Sequence, residues 1–205
     1  MIVYVETNFL LELALEQQQH ASCEGLLQLA EGKAITLAMP AFSVTEAVAK
    51  LKRAYDERFD LQKRLNDQRR ELSRTRGFAK DDDDAFAAVA VALIRGAQAA
   101  EPRLAQLEER LFQAVRFLPL DAAVASEVSR YSRDYKLKSP DATILASVMK
   151  DPQLGQEPSC FLNRNTKDFG QAFIIDLLKQ RACKLIGSFD DGLAHVRNAL
   201  KSARP

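Results

Sequence analysis

The chain begins with Met1-Ile2-Val3-Tyr4-Val5-Glu6-Thr7-Asn8, an apolar run followed at once by three polar side chains. Residues 2–5 favour β-structure and show no polar–apolar alternation, which is the pattern of a strand covered on both faces. A parallel strand that ends in an acid places that acid at the carboxyl edge of the sheet, where open α/β folds bind ligands. The stretch therefore predicts a buried strand that delivers Glu6 to a candidate site.

The rest of the chain alternates strand-like and helical segments. The helices are predicted near residues 9–15, 21–31, 121–133, 174–181 and 190–200, with others opening at Ser43 and Pro140. The further strands are predicted at residues 34–39, 116–120, 160–163 and 183–186. This alternation predicts a three-layer αβα fold with a central, mainly parallel sheet.

Residues 50–115 differ in character from the rest of the chain. They are rich in charge, carry almost no strand signal and place apolar residues at helical spacing, such as Leu104, Leu107 and Leu111. We interpret them as a helical arm inserted into one α/β domain that spans residues 1–205, because 205 residues suffice for one well-filled domain. The acidic run 81–84 favours the start of one helix of this arm.

Composition excludes little by itself. Apolar residues make up 47% of the chain and the net charge is +1, so neither membranes nor nucleic acids are indicated by composition alone. The three cysteines are far apart in apolar contexts, which favours buried, reduced thiols and a cytoplasmic location. The longest apolar run, residues 85–94, is too short to span a bilayer, and no secretory leader pattern is evident.

Acidic side chains recur where strands end or helices begin. A cluster of carboxylates at one sheet edge would raise the proton affinities of its members unless a cation neutralised them. No His or Cys stands at usable spacing, and ligands that offer only oxygen select a hard ion such as Mg²⁺ or Mn²⁺. The candidate ligands are Glu6, Glu46, Asp141 and the pair Asn165/Asp168.

Ordinary structural roles compete with this interpretation. Ser43 and Glu46 have the spacing of a capping box, in which the Glu side chain reaches back to the Ser amide. Asp141 stands in a predicted first helical turn, where a carboxylate interacts favourably with the helix dipole. Asn165 is placed to cap the turn that leads to Asp168. Glu6 is harder to explain in this way, because an unpaired carboxylate beyond a buried strand is costly.

Four motifs in this order resemble the PIN domain, the nuclease fold used by toxin ribonucleases of bacterial toxin–antitoxin operons. They are Val-Glu-Thr-Asn at 5–8, Pro-Ala-Phe-Ser-Val-Thr-Glu at 40–46, Ser-Pro-Asp-Ala-Thr-Ile-Leu-Ala at 139–146 and Phe-Leu-Asn-Arg-Asn-Thr-Lys-Asp-Phe at 161–169. Two positions depart from the family pattern. Glu6 stands where the family usually has Asp, and Asn165 stands where it often has an acid.

The resemblance implies a metal-dependent ribonuclease that leaves a 5′-phosphate and a 3′-hydroxyl. Glu6, Glu46 and Asp141 would bind one or two divalent ions, and Asp168 would contribute directly or through water. Catalytic roles would fall to the same four acids, Thr7 and Asn8 would fix the Glu6 carboxylate, and Ser43 and Asn165 would also support the ligands. An antitoxin partner and a homodimer are further expectations from this resemblance.

RNA binding requires positive charge, and residues 50–80 contain eleven Lys or Arg against five Asp or Glu. Counterion release along an RNA backbone would favour binding to such a surface. The candidate contacts are Arg69, Arg70, Arg74 and Arg76 on the arm, and separately Arg164 beside the fourth motif. The competing interpretation is an ordinary solvated helix face balanced by the acidic run 81–84.

Other functions remain open from the sequence. The departures at Glu6 and Asn165 also suit a catalytically weak or inactive PIN-fold protein that binds nucleic acid or a partner chain. Haloacid-dehalogenase phosphatases need Asp-x-Asp where this chain has Glu6-Thr7-Asn8, and receiver domains need a lysine and an adjacent acid pair that we do not find. No glycine-rich phosphate loop is present, which disfavours a nucleotide cofactor.

Overall fold

Five parallel strands form the centre of the molecule. A computed structural model describes residues 1–202, except for the side chain of residue 97. The strands are β1 (Ile2–Tyr4), β2 (Thr36–Pro40), β3 (Val115–Leu118), β4 (Ser159–Leu162) and β5 (Cys183–Ile186). They lie in the order β3-β2-β1-β4-β5, and every neighbouring pair is parallel. The predicted parallel α/β sheet is confirmed, and β1 is its middle strand.

Helices connect these strands and cover both faces of the sheet. Within the described residues they are α1 (Thr7–Leu15), α2 (His20–Glu31), α3 (Ala41–Leu72), α4 (Lys80–Gln98), α5 (Ala100–Ala114), α6 (Ala122–Asp134), α7 (Ser139–Met149), α8 (Thr166–Phe169), α9 (Ala172–Lys179) and α10 (Phe189–Ser202). Apolar residues of α1, α2, α5 and α10 form a core on one face, and those of α6, α7 and α9 form a second core on the other. The three-layer fold predicted from the sequence is therefore confirmed.

Strand β1 and the residue that follows it are buried on both sides. Val3 and Val5 belong to one core, whereas Ile2 and Tyr4 belong to the other. None of the four is more than 1% exposed. This burial explains the uninterrupted apolar run, since alternation requires a solvent-facing side. It also fixes where Glu6 emerges, at the carboxyl end of the middle strand.

Helix α3 carries the chain away from the sheet. Its 32 residues correspond to a length of about 48 Å. Its buried residues, Ser43 and Ala47, both lie near its start, so the remainder projects outward. Helix α4 returns antiparallel to it, as shown by the ion pair between Arg69 and Asp83 near the tip. Residues 41–98 thus form a long hairpin that is anchored at the sheet edge.

Helix α5 behaves differently from this hairpin. Leu104, Leu107 and Leu111 are buried in the core that also contains α1 and α2. The segment 50–115 therefore has two physical parts, an exposed pair of helices and a third helix that is packed into the body.

A buried polar network contacts Tyr4, the last residue of β1, in the second core of the sheet. The Tyr4 hydroxyl donates to Asp151 at 2.5 Å, and the guanidinium of Arg116 donates to the same carboxylate at 2.9 and 2.6 Å. Although burial favours the neutral acid, the hydrogen bonds from Arg116 and Tyr4 leave the pKa of Asp151 below its usual range. Ala38 lies between Tyr4 and Arg116 in the sheet register, and its small side chain lets them meet.

Cys23, Cys160 and Cys183 are free and buried, as predicted. Burial raises the pKa of Cys160 to about 12 and that of Cys183 to about 11, so both are inert thiols at neutral pH. No helix among the described residues is long and apolar enough to cross a membrane.

Candidate functional site

Glu6 is a buried carboxylate with one unpartnered oxygen. It caps α1, and its Oε2 accepts a hydrogen bond from the Asn8 backbone N–H at 2.9 Å. Its Oε1 is buried and has no hydrogen-bond partner among the described residues. The side chain is 2% exposed, and burial, assisted by the negative charge of Glu46, raises the pKa of Glu6 to about 7. A cation beside Oε1 would relieve this cost.

Glu46 is the second acid of the site, and its negative charge acts on Glu6. It lies in the second turn of α3, the helix that follows β2. Its Oε2 accepts a short hydrogen bond from the Thr7 hydroxyl, and its Oε1 lies 3.0 Å from the Lys50 ammonium. Thr7 therefore links the end of β1 to α3. The sequence predicted that Thr7 and Asn8 would fix Glu6. In the structure the Thr7 hydroxyl bonds Glu46 instead, and Glu6 is held by the Asn8 backbone N–H.

The capping-box interpretation of Ser43 and Glu46 is wrong. Helix α3 begins at Ala41 with Pro40 in the capping position, so Ser43 already lies inside the first turn. The Ser43 hydroxyl is buried and has no hydrogen-bond partner among the described residues. The predicted support of an acid by Ser43 is therefore not visible as a hydrogen bond. The Glu46 carboxylate instead bonds Thr7 and Lys50.

Asp141 and Asp168 are held together by an amide. Asn165 Nδ2 lies 3.2 Å from Asp141 Oδ1 and 2.8 Å from Asp168 Oδ2. Asn165 also caps α8, so the capping role predicted for it is confirmed. Burial raises the pKa of Asp141, and the negative charges of Asp168 and Glu46 raise it further. The third and fourth motifs therefore meet at one place.

The four predicted acids form two linked pairs on one edge of the sheet. Glu6 and Glu46 make the first pair, Asp141 and Asp168 make the second, and the charge of Glu46 acts on members of both. Among the residues that the structure describes, no three His, Cys, Asp or Glu side chains converge as a ready metal cluster. The carboxylates are separated by donors of the chain itself. The unpartnered Glu6 oxygen and the all-oxygen set nevertheless fit a hard divalent cation.

Sequence reasoning missed three lysines around this site. Lys50 pairs with Glu46 and acts on Glu6 and Asp141, and its signal was available because it stands one helical turn after Glu46. Lys138 precedes α7, and Lys167 adjoins Asp168; both are exposed. Lys138 directly precedes the third motif, and Lys167 lies within the fourth. The site residues predicted from these motifs did not include either lysine.

Arg164 has a structural partner that the sequence did not suggest. Its guanidinium forms a close ion pair with Glu12, whose side chain is 1% exposed. Glu12 also accepts the Gln19 backbone N–H at 2.7 Å, which joins the end of α1 to the start of α2. Arg164 is thus paired within the protein while about one-third of its side chain stays exposed, and its contact with RNA phosphate stays a prediction.

We expect Arg164→Met to lower the free energy of unfolding by about 1–2 kcal/mol, less than for a fully buried pair because Arg164 is one-third exposed. Urea unfolding measures this loss. Arg133→Met, at a guanidinium that is 74% exposed, is the matched control and should change stability little. Equal stabilities of the two variants would contradict a stabilising ion pair between Arg164 and Glu12.

The arginines of the arm are far from the acids and partly engaged. Arg69 forms a two-pronged pair with Asp83 at 2.5 and 2.6 Å, so it braces the hairpin. Arg70 and Arg74 make looser pairs of 3.6 Å with acids one turn away and stay largely exposed. Along the axis of α3, Arg69 is about 35 Å from Glu46. The arm arginines therefore cannot contact a group bound at the acids.

Comparison with known proteins identifies the family of this chain. A family model described as "PIN domain" matches residues 3–169, a span that contains all four acids and the arm. No curated protein and no solved structure gives a significant match. PIN domains are generally nucleases and typically use divalent metals. With the parallel sheet and its acidic edge, this match establishes that the chain belongs to the PIN-domain family.

Proposed function

We propose that the protein is a metal-dependent endoribonuclease that hydrolyses RNA phosphodiester bonds at the edge formed by Glu6, Glu46, Asp141 and Asp168. The observation that carries this proposal is the buried Oε1 of Glu6, which has no hydrogen-bond partner among the described residues. The negative charge of Glu46 acts on the same carboxylate. A site built only for stability would pair or remove such an oxygen. A site built for a cation keeps it open.

The residues present fit Mg²⁺ or Mn²⁺. Glu6, Glu46 and Asp141 would hold the cation, and Asp168 would contribute directly or through water. A divalent cation held there would increase the acidity of an attacking water and supply positive charge beside the scissile phosphate. The longer arm of Glu6, compared with the usual Asp of the family, places its carboxylate one methylene farther from β1.

The neighbouring donors orient these carboxylates. The Asn8 N–H holds Glu6 Oε2, and Oε1 has no partner among the described residues. The Thr7 hydroxyl fixes Glu46, and the Asn165 amide fixes Asp141. Loss of partners that orient a metal ligand commonly costs 10–100-fold in metal affinity or activity.

RNA would be bound by positive charge close to the acids and along the arm. Exposed Lys138 and Lys167 lie next to the motifs of Asp141 and Asp168, where a phosphate chain would enter or leave. Arg70, Arg74 and Arg76 would add contacts to a more distant part of a long RNA. Such contacts predict binding that weakens steeply with salt.

The test is cleavage of a defined single-stranded RNA by the purified chain with Mn²⁺. We expect internal cleavage, products with 5′-phosphate and 3′-hydroxyl ends, and no cleavage in excess EDTA. Ligation and phosphatase treatment identify the ends. Cleavage that continues in EDTA, or that yields 2′,3′-cyclic phosphates, would contradict the proposal.

A further inference from the structure

Two donors of the chain itself lie among the four carboxylates of the candidate site. One is the Lys50 ammonium and the other is the Asn165 side-chain amide. Both occupy positions beside carboxylate oxygens where a cation would otherwise stand. Their presence bears on the number of divalent ions that the site can take, a question that deepens the proposed function and rests on it.

Lys50 neutralises the first pair of acids. Its Nζ lies 3.0 Å from Glu46 Oε1, and the other oxygen of this carboxylate already accepts the Thr7 hydroxyl. Both Glu46 oxygens are therefore engaged. The positive charge of Lys50 also opposes the rise in the pKa of Glu6 and of Asp141, so it acts on both pairs of acids. A cation at Glu46 Oε1 would compete directly with this ammonium.

Asn165 plays the matching role in the second pair. A single nitrogen, Nδ2, lies 3.2 Å from Asp141 and 2.8 Å from Asp168, in the position from which a bridging cation would contact both carboxylates. The hydrogen-bonded helix cap fixes this residue from its other side. An ion that bridged these two acids would have to displace the amide.

By contrast, Glu6 Oε1 is open. It is the buried carboxylate oxygen of this site without a hydrogen-bond partner among the described residues. We infer that the site holds one divalent cation per chain, centred on the Glu6 side, because Lys50 and Asn165 fill the place of a second ion. Lys50 and Asn165 are thus positioning residues that set the charge and the stoichiometry of the site.

Mn²⁺ binding to the full chain, freed of metal with EDTA and then dialysed, tests this inference without any substrate. Isothermal titration calorimetry with elemental analysis gives the number of ions bound. We expect one Mn²⁺ per chain for the wild type and two for the double variant Lys50→Met/Asn165→Asp. Lys50→Met alone should bind its single ion about tenfold more tightly, because one opposing charge is removed.

Lys52→Met is the matched control, since Lys52 lines the groove between α3 and α5. It should leave both stoichiometry and affinity unchanged. Two ions in the wild type, or one ion in a folded double variant, would overturn the inference. If the double variant does not fold, Asn165→Asp alone must gain a second, weaker binding event, and its absence would overturn the inference as well. No binding by the wild type would instead remove the proposed function on which the inference rests.

Discussion

Asp141→Asn should abolish Mn²⁺-dependent cleavage of RNA while leaving the fold at least as stable as the wild type. The carboxylate is half-buried, and burial and the charges of Asp168 and Glu46 raise its pKa, so its ionised form is disfavoured in the folded chain. Asparagine has nearly the same shape but no charge, and it relieves this repulsion. We expect the rate to fall by at least about 100-fold, because loss of mere supporting partners already costs 10–100-fold.

Single-turnover cleavage and urea unfolding in EDTA measure the two expectations. The matched control is Asp176→Asn, at an exposed position of α9, which should retain full activity. If purified Asp141→Asn protein cleaved RNA at the wild-type rate, the cleavage would not take place at this site. A marked loss of stability in this variant would instead show that Asp141 serves the fold.

Strand β1 could be predicted from the sequence because it is buried on both faces, and strand β5 has a buried residue at each end. The run 2–5 and the strand 183–186 needed only local composition to be recognised. The order β3-β2-β1-β4-β5 could not be derived in this way, since it depends on which strands pair across the sheet. The start of α3 was also misplaced. Pro40 ends β2 and caps the helix at the same time, so no separate cap such as Ser43 is required.

The acids were predictable because each stands at a strand end or a helix start, and such positions converge on one edge of a parallel sheet. Their partners were not. The contact between Arg164 and Glu12 joins residues that are 152 positions apart, and the Asn165–Asp141 bond joins residues 24 apart. No local pattern encodes such distances. Lys50 was the exception, because a lysine four residues after a glutamate on a helix is a local signal.

Glu6→Gln should make the chain, freed of metal with EDTA, more stable at alkaline pH and remove much of its pH dependence. Burial raises the pKa of Glu6 to about 7 from an ordinary value of 4.5. The folded state therefore binds a proton more tightly than the unfolded state. Stability from this group is fully present below pH 4.5 and is lost as the pH rises through about 7. At pH 8.5 this shift in pKa corresponds to a loss of about 3 kcal/mol in the free energy of unfolding.

Urea unfolding of both proteins at pH 5 and pH 8.5 in EDTA tests this sign. The difference in the free energy of unfolding between Glu6→Gln and the wild type should be small at pH 5 and should approach its full value at pH 8.5. Glu109→Gln, at an exposed position of α5, is the control and should follow the wild type at both values. A Glu6→Gln chain that is less stable than the wild type at pH 8.5 would contradict the buried, uncompensated carboxylate.

Saturating Mn²⁺ should reverse the order of the two proteins at pH 8.5. A ligand that binds only the folded chain stabilises it in proportion to the logarithm of its concentration over its dissociation constant. In the absence of a cation the ionised Glu6 lowers the free energy of unfolding of the wild type, and a bound cation restores it. Cation binding should change the free energy of unfolding of Glu6→Gln much less. The energetic cost of the buried carboxylate and the capacity to bind a cation are then two consequences of the same unpartnered oxygen.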